Sequence, residues 1–202
     1  HAVPAYKDYS NDIHTSGQHL LGLINEILDL SRIEAGRYEL NEEAVPIADV
    51  VQDCHHLLNL RAKNRGITIH ESFEQNLPRV WADERAIRQI CLNLLSNAIK
   101  FTPQGGEIWI KAGWTASGGQ YFSVKDTGPG IPEDEIPIVL ASFGQGSNAL
   151  KSAEQGAGLG LPIAKSLVDL HGGTFTLRSK LRFGTEVVIA LPPERGLPRG
   201  RA

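Results

Sequence analysis

Little in the composition of this chain points to a partner. A formal net charge of −3 over 202 residues gives no general attraction to nucleic acid or to an anionic membrane. Only two cysteines occur, Cys54 and Cys91, so there is no disulfide framework, and a reducing cytoplasmic compartment is expected. No uninterrupted apolar run approaches the ~20 residues needed to span a bilayer, and no secretory leader opens the chain. The expectation is a soluble piece making no direct contact with nucleic acid or membrane, whatever anchor a parent protein carries. Cys54-His55-His56 invites comparison with a metal site, but adjacent residues on a helix point in different directions, and no second ligand cluster follows at zinc spacing.

What is present suffices for one ordinary domain and an extra element: 41% of the residues are apolar. From Tyr6 to Ala35 the pattern predicts one long helix, with Ile13, Gly17, Leu20, Ile24, Ile27 and Ser31 spaced by alternating steps of four and three. Leu21 and Leu28 widen that stripe, and Gly36 is the expected stop. Such a helix is poorly stable alone and needs something to pack on. Beyond it, the sequence predicts a helix over Val50–Lys63, strands at Ile67–His70 and Val80–Ala82, and a helix from the cap Asp83 to Lys100. Strands follow over Glu107–Trp114 and Gln120–Lys125, then an irregular segment over 144–155 and a helix over Leu159–Leu170. Two last strands are expected at Thr174–Ser179 and Thr185–Leu191. Helices mixed with mostly antiparallel strands imply an α+β sandwich, one sheet covered by helices. Arg195, Arg199 and Arg201 lie in a Pro/Gly-rich end, read here as a solvated, flexible tail over 194–202.

Three separated stretches carry chemistry. Asn93 and Asn97 sit four residues apart on a helix, so their amides share a face, and an amide oxygen is a hard neutral ligand suited to Mg²⁺. Lys100 follows on nearly the same face and can meet a phosphate as a point charge. Alone, this is simply an amphipathic helix with a wet side. Asp126 ends an apolar strand ahead of Thr127-Gly128-Pro129-Gly130. Its carboxylate can accept from the exocyclic amine of adenine, whereas guanine would present a carbonyl. Gly156-Ala157-Gly158-Leu159-Gly160 runs into a helix, whose free N–H groups suit phosphate. No strand precedes these glycines, their spacing is wrong for a dinucleotide fold, and no Gly-Lys-Ser/Thr ending follows. Rossmann and Walker-type readings therefore fail.

Together, in this order, the stretches resemble the ATP-binding core of sensor histidine kinases of two-component signalling, over Tyr6–Leu191. Asn93, Asn97, Lys100 and Phe101 are similar to that family's asparagine box, and Asp126, Gly128 and Gly130 to its first glycine box. Phe143 is similar to the phenylalanine box, Gly156, Gly158, Leu159 and Gly160 to the second glycine box, and Gly184-Thr185 to the last one. Gln145 falls in the lid segment. The resemblance implies a Bergerat-type ATP-binding domain over 38–193 that takes ATP and Mg²⁺, the metal on Asn93 and Asn97. It implies that residues 1–37 resemble the second helix of a dimerisation hairpin, through which the parent forms a homodimer. The implied partner is a response-regulator receiver domain.

The departures matter as much. The acceptor motif, a histidine followed by acidic, Leu, Arg, Thr and Pro residues, does not occur, so the acceptor helix is expected upstream in the parent, and this piece is not expected to label itself. Ala157 replaces a residue often Thr or Ser in the family, and Val139–Phe143 keeps only part of the phenylalanine box. Two other functions compete with kinase activity. A hydrolytic ATPase of the gyrase or heat-shock chaperone kind would carry a water-activating glutamate where Asn93 stands, and an amide cannot act as general base. A non-catalytic nucleotide-binding scaffold is compatible with the missing acceptor, although Asn97, Lys100 and Asp126 are intact.

Overall fold

A computed structural model describes residues 3–147 and 157–198. The chain divides into two compact units, His1–Tyr38 and Glu39–Ala202. The first is a single helix, α1 (Val3–Glu34), after which the Arg37 N–H returns to the Arg32 carbonyl at 2.8 Å. Its stripe residues Ile13, Leu20, Leu21, Ile24, Ile27 and Leu28 are exposed.

The second unit contains β1 (Glu43–Val45), α2 (Ile47–Asn64), β2 (Thr68–Phe73), β3 (Val80–Ala82), α3 (Glu84–Phe101), β4 (Glu107–Trp114) and β5 (Gln120–Asp126). Then come α4 (Ile136–Val139), α5 (Gly160–Leu170), β6 (Thr174–Lys180) and β7 (Gly184–Leu191). Five strands form one sheet in the order β2-β4-β5-β7-β6, parallel at β2/β4 and antiparallel elsewhere. A separate antiparallel pair, β1 with β3, lies outside it. Helices α2, α3 and α5 pack together and against the sheet. The fold is thus the expected α+β arrangement of a mixed, mostly antiparallel sheet covered by helices.

Alternation builds this layer. Ile108, Ile110 and Ala112 of β4, Phe122 and Val124 of β5, and Val187, Ile189 and Leu191 of β7 are all buried, whereas Lys111 and Lys125 point to solvent. From the helix side, Ile87, Ile90, Leu94, Leu95 and Ile99 of α3 meet them at three- and four-residue spacing. Each such fully buried aliphatic side chain contributes roughly 1.5–3 kcal/mol by leaving water. At the start of α3, Asp83 accepts from the Ala86 N–H at 3.0 Å, the capping bond its position suggests. Its other oxygen accepts from the Asn41 N–H at 2.9 Å.

Several local expectations change. Strand β1 and the short helix α4 have no counterpart in the sequence reading, because three or four residues are too few to show a period. Helix α2 begins at Ile47, directly after Pro46, rather than at Val50. Strand β2 continues through Glu71, Ser72 and Phe73 because it lies at the sheet's edge, where polar residues are tolerated. Arg195 is the clearest correction: it is not a solvated tail residue. Its guanidinium donates to the His171 carbonyl, to the Trp81 carbonyl at 2.6 Å, and to Glu42. Leu197 N–H also donates to the Arg79 carbonyl. Arg199 and Arg201 lie outside the described residues. No helix among the described residues is long and apolar enough to cross a membrane. Cys54 and Cys91 are free thiols, and His55 is engaged with Glu71 at 2.5 Å.

Candidate nucleotide-binding site

The three sequence boxes converge through contacts that can be traced one by one. Asn93, on α3, donates its Nδ2 to the carbonyl of Gly160 at 3.0 Å. That bond joins the asparagine box to the glycine loop entering α5, and Leu159 beside it is buried in the core. Because the amide nitrogen is committed to a carbonyl, the Asn93 side-chain oxygen is left as the acceptor, the chemistry a hard cation requires. Asn97 lies one turn further on, half-buried. Lys100 closes the face, its ammonium 5.1 Å from the centre of the Phe101 ring.

The second box meets the same helix at its C-terminal end. A side chain on Gly128 would run into the Phe101 carbonyl and the Asp126 carboxylate, so the backbone passes close to the last turn of α3. Asp126 itself is buried, 8% exposed, at the end of β5. One of its oxygens, Oδ1, accepts from the Gly128 N–H at 2.8 Å and from the Thr185 N–H at 3.2 Å. Burial pushes this carboxyl above its usual range, and the two backbone donors pull it back down. The result is a carboxylate held rigidly by one oxygen beside the end of α3.

Gly130 has a φ of 73° and lies against the backbone of Lys180. Any other residue there would be strained and would strike that backbone. The Arg182 N–H bonds the Pro129 carbonyl at 2.8 Å, so the loop after Asp126 is locked to the β6–β7 hairpin. Gly158 approaches the backbone of Phe143 and Gly144, bringing the phenylalanine box to the second glycine box. Phe143 is 59% exposed with a φ of 62°, a conformation unusual for a bulky residue. Gln145 is half-buried just beyond it. Gly156 and most of the segment 144–155 lie outside the described residues.

Sequence reasoning named Thr185 but missed the group that holds it. Ser179 of β6 faces Thr185 in the hairpin register, with the two hydroxyl oxygens 2.8 Å apart. The signal was available in principle: the five residues between the two predicted strands, 180–184, make a hairpin-length connection that puts Ser179 and Thr185 opposite one another. It also missed Thr127, whose hydroxyl accepts from the Glu107 N–H at 2.9 Å and ties the second box to the start of β4.

Comparison with known proteins gives a consistent answer. Residues 82–195 match the profile of the family described as Histidine kinase-, DNA gyrase B-, and HSP90-like ATPase. The "Non-motile and phage-resistance protein" of Caulobacter vibrioides is 44% identical over 190 residues, covering 93% of this chain and 22% of that protein. The "Cell-division control histidine kinase PdhS" of Brucella anthropi is 40% identical over 201 residues, covering 95% of this chain and 19% of that protein. The crystal structure of full-length ShkA in complex with AMPPNP superposes with a TM-score of 0.81 at 34% identity, covering 92% of this chain and 38% of that one. The chain therefore spans about a fifth of the length of the curated relatives it matches. With the profile spanning more than half of its residues, the chain belongs to the Histidine kinase-, DNA gyrase B-, and HSP90-like ATPase family, on its sensor histidine kinase side.

Proposed function

We propose that this chain is the ATP-binding catalytic core of a sensor histidine kinase, which passes the γ-phosphate of ATP to a histidine on a dimerisation domain for relay to a response-regulator aspartate. The observation that carries the reading is the Asn93–Gly160 bond. At the position where a hydrolytic relative would need a carboxylate, this chain has an amide whose nitrogen donates to a carbonyl. A glutamate there would face that carbonyl with repulsion, and the amide cannot take a proton from water. The site is therefore suited to holding a triphosphate for transfer rather than to activating water. A solved relative holding AMPPNP supports the nucleotide class.

In this reading the free oxygen of the Asp126 carboxylate accepts from the adenine amine. Gly128, Gly130 and Thr185 shape the base site, and Phe101, Phe143 and Gln145 flank the nucleotide. Gly156, Gly158, Leu159 and Gly160 offer backbone N–H groups to the phosphates, and Lys100 meets them as a charge. Asn93 and Asn97 would hold Mg²⁺, which supplies neutralisation of the triphosphate charge when bound. Positioning and charge carry most of phosphoryl transfer, so little covalent chemistry is asked of the protein. Residues 1–37 serve as the second helix of a dimerisation hairpin, 38–193 as the ATP-binding domain, and the parent acts in the cytoplasm as a homodimer facing a receiver domain.

The test is phosphate transfer in trans. Incubated with γ-labelled ATP and Mg²⁺, the chain alone should remain unlabelled, and an added dimerisation hairpin bearing its acceptor histidine should gain label. Steady release of inorganic phosphate without labelling of the hairpin would instead support the hydrolytic alternative.

A further inference from the structure

The row of side chains that includes Asp126 continues past it. Asp126 pairs with Thr185, and Thr185 with Ser179, so the three share one face of the sheet across β5, β7 and β6. Ser179 joins three segments through one hydroxyl. It accepts from the Ile131 N–H at 2.7 Å, lies 3.0 Å from the Gly184 carbonyl, and lies 2.8 Å from the Thr185 hydroxyl.

A serine hydroxyl has one proton and two lone pairs. The Gly184 carbonyl can only accept, and the Ile131 N–H can only donate. If the Ser179 proton went to Thr185, the serine oxygen and the Gly184 carbonyl would meet lone pair to lone pair. The arrangement that satisfies every group sends the Ser179 proton to Gly184 and the Thr185 proton to Ser179. Thr185 then has no proton to offer elsewhere. Its backbone N–H is bound to Asp126, so a hydroxyl reduced to acceptor stands beside a carboxylate that also only accepts.

We propose that Ser179 is a positioning residue for nucleotide specificity: by holding the Thr185 proton away from the base site, it leaves Asp126 and Thr185 presenting acceptors only. Such a floor favours a purine bearing an exocyclic amine and rejects one bearing a carbonyl at that place. Without Ser179 the Thr185 hydroxyl turns freely and can donate to a carbonyl, which relieves the repulsion against guanine. The proposal rests on the adenine-nucleotide reading given above.

Calorimetric titration of the chain with MgADP and with MgGDP tests it. Ser179→Ala should lower the ADP-over-GDP affinity ratio about tenfold, the size of one hydrogen bond turned the wrong way, and Ser179→Thr, which restores the hydroxyl, should recover it. If Ser179→Ala does not fold, Ser179→Cys, with a weakly bonding thiol in nearly the same space, should show the same fall. An unchanged ratio in the folded variant overturns the role of Ser179. Asp126→Asn separates the two levels. Loss of selectivity there with selectivity kept in Ser179→Ala rejects the serine's role and leaves the adenine reading standing. A native chain that binds neither nucleotide, or both equally, removes both.

Discussion

Asp126 carries a cost that the proposed contact with adenine would explain. It is buried, and burial raises its pKa, so the ionised form is disfavoured in the folded chain. A carboxyl with a raised folded pKa stabilises the fold most below its unfolded pKa, and that stabilisation is lost as pH rises through the folded pKa. At neutral pH the charge is therefore a burden on the ligand-free protein. Asp126→Asn removes the charge, and the amide oxygen can still accept from Gly128 and Thr185. The variant should melt higher than the native chain at pH 7, with the difference shrinking as the pH falls through the acid range. It should also bind ATP more weakly, by roughly 1.5–3 kcal/mol for one charge-assisted hydrogen bond. Melting curves from pH 4 to 7 and calorimetry check the two halves. A variant that is less stable at pH 7, or that binds ATP as the native chain does, contradicts this account of the side chain.

The N-terminus of α3 shows how an element is secured, and where pH enters. Asp83 caps the helix, while its own N–H donates to His171 Nε2 at 3.1 Å. The other ring nitrogen of His171 bonds the Leu167 carbonyl at 2.7 Å, so the ring is neutral and fully used. Burial pushes the His171 pKa down. The Leu167 carbonyl raises it, nearby Arg195 lowers it, and Asp83 and Glu42 raise it. A histidine whose folded pKa is depressed gives stability that is present above its unfolded pKa and is lost as pH falls through the folded one. Protonation would also place an N–H against the Asp83 N–H. Denaturant stability of the native chain should therefore fall below about pH 6.5, and His171→Gln should flatten that part of the profile. Asp83→Ala should cost about 1 kcal/mol or more at pH 7 and above, where His171 is neutral and the loss is that of the cap. Much of this element was legible in the sequence, because Asp83 precedes eighteen residues of helical period. The histidine's part was not. It depends on a contact between residues 88 positions apart, which no local pattern encodes. The same limit explains Arg195, whose partners come from distant strands and loops, and the bond from Ile131 to Ser179, 48 positions away, whereas Asn93, Asp126 and the glycines were readable because each box is a short contiguous motif.

At the scale of the whole molecule, the chain is two units with different needs. The unit from Glu39 onward has its own sheet covered by its own helices, and every traced contact of the candidate site lies within it. The unit from His1 to Tyr38 is a helix with Ile13, Leu20, Ile24 and Ile27 exposed along one seam, and such a stripe has no reason to exist in water unless another helix covers it. If α1 belongs to a dimerisation hairpin, covering the seam should bring chains together while the traced contacts of the nucleotide site, all within the second unit, stay as they are. The expectation is that the chain self-associates with rising concentration in sedimentation, that Leu20→Glu together with Ile24→Glu returns it to monomer, and that ADP affinity stays within about twofold throughout. Removing residues 1–38 should do the same, because the second unit has its own five-stranded sheet and its own helices packed on it. A chain that stays monomeric across its soluble range would leave the seam to a different partner, and a large loss of ADP affinity on removing the helix would mean that the nucleotide site is not self-contained.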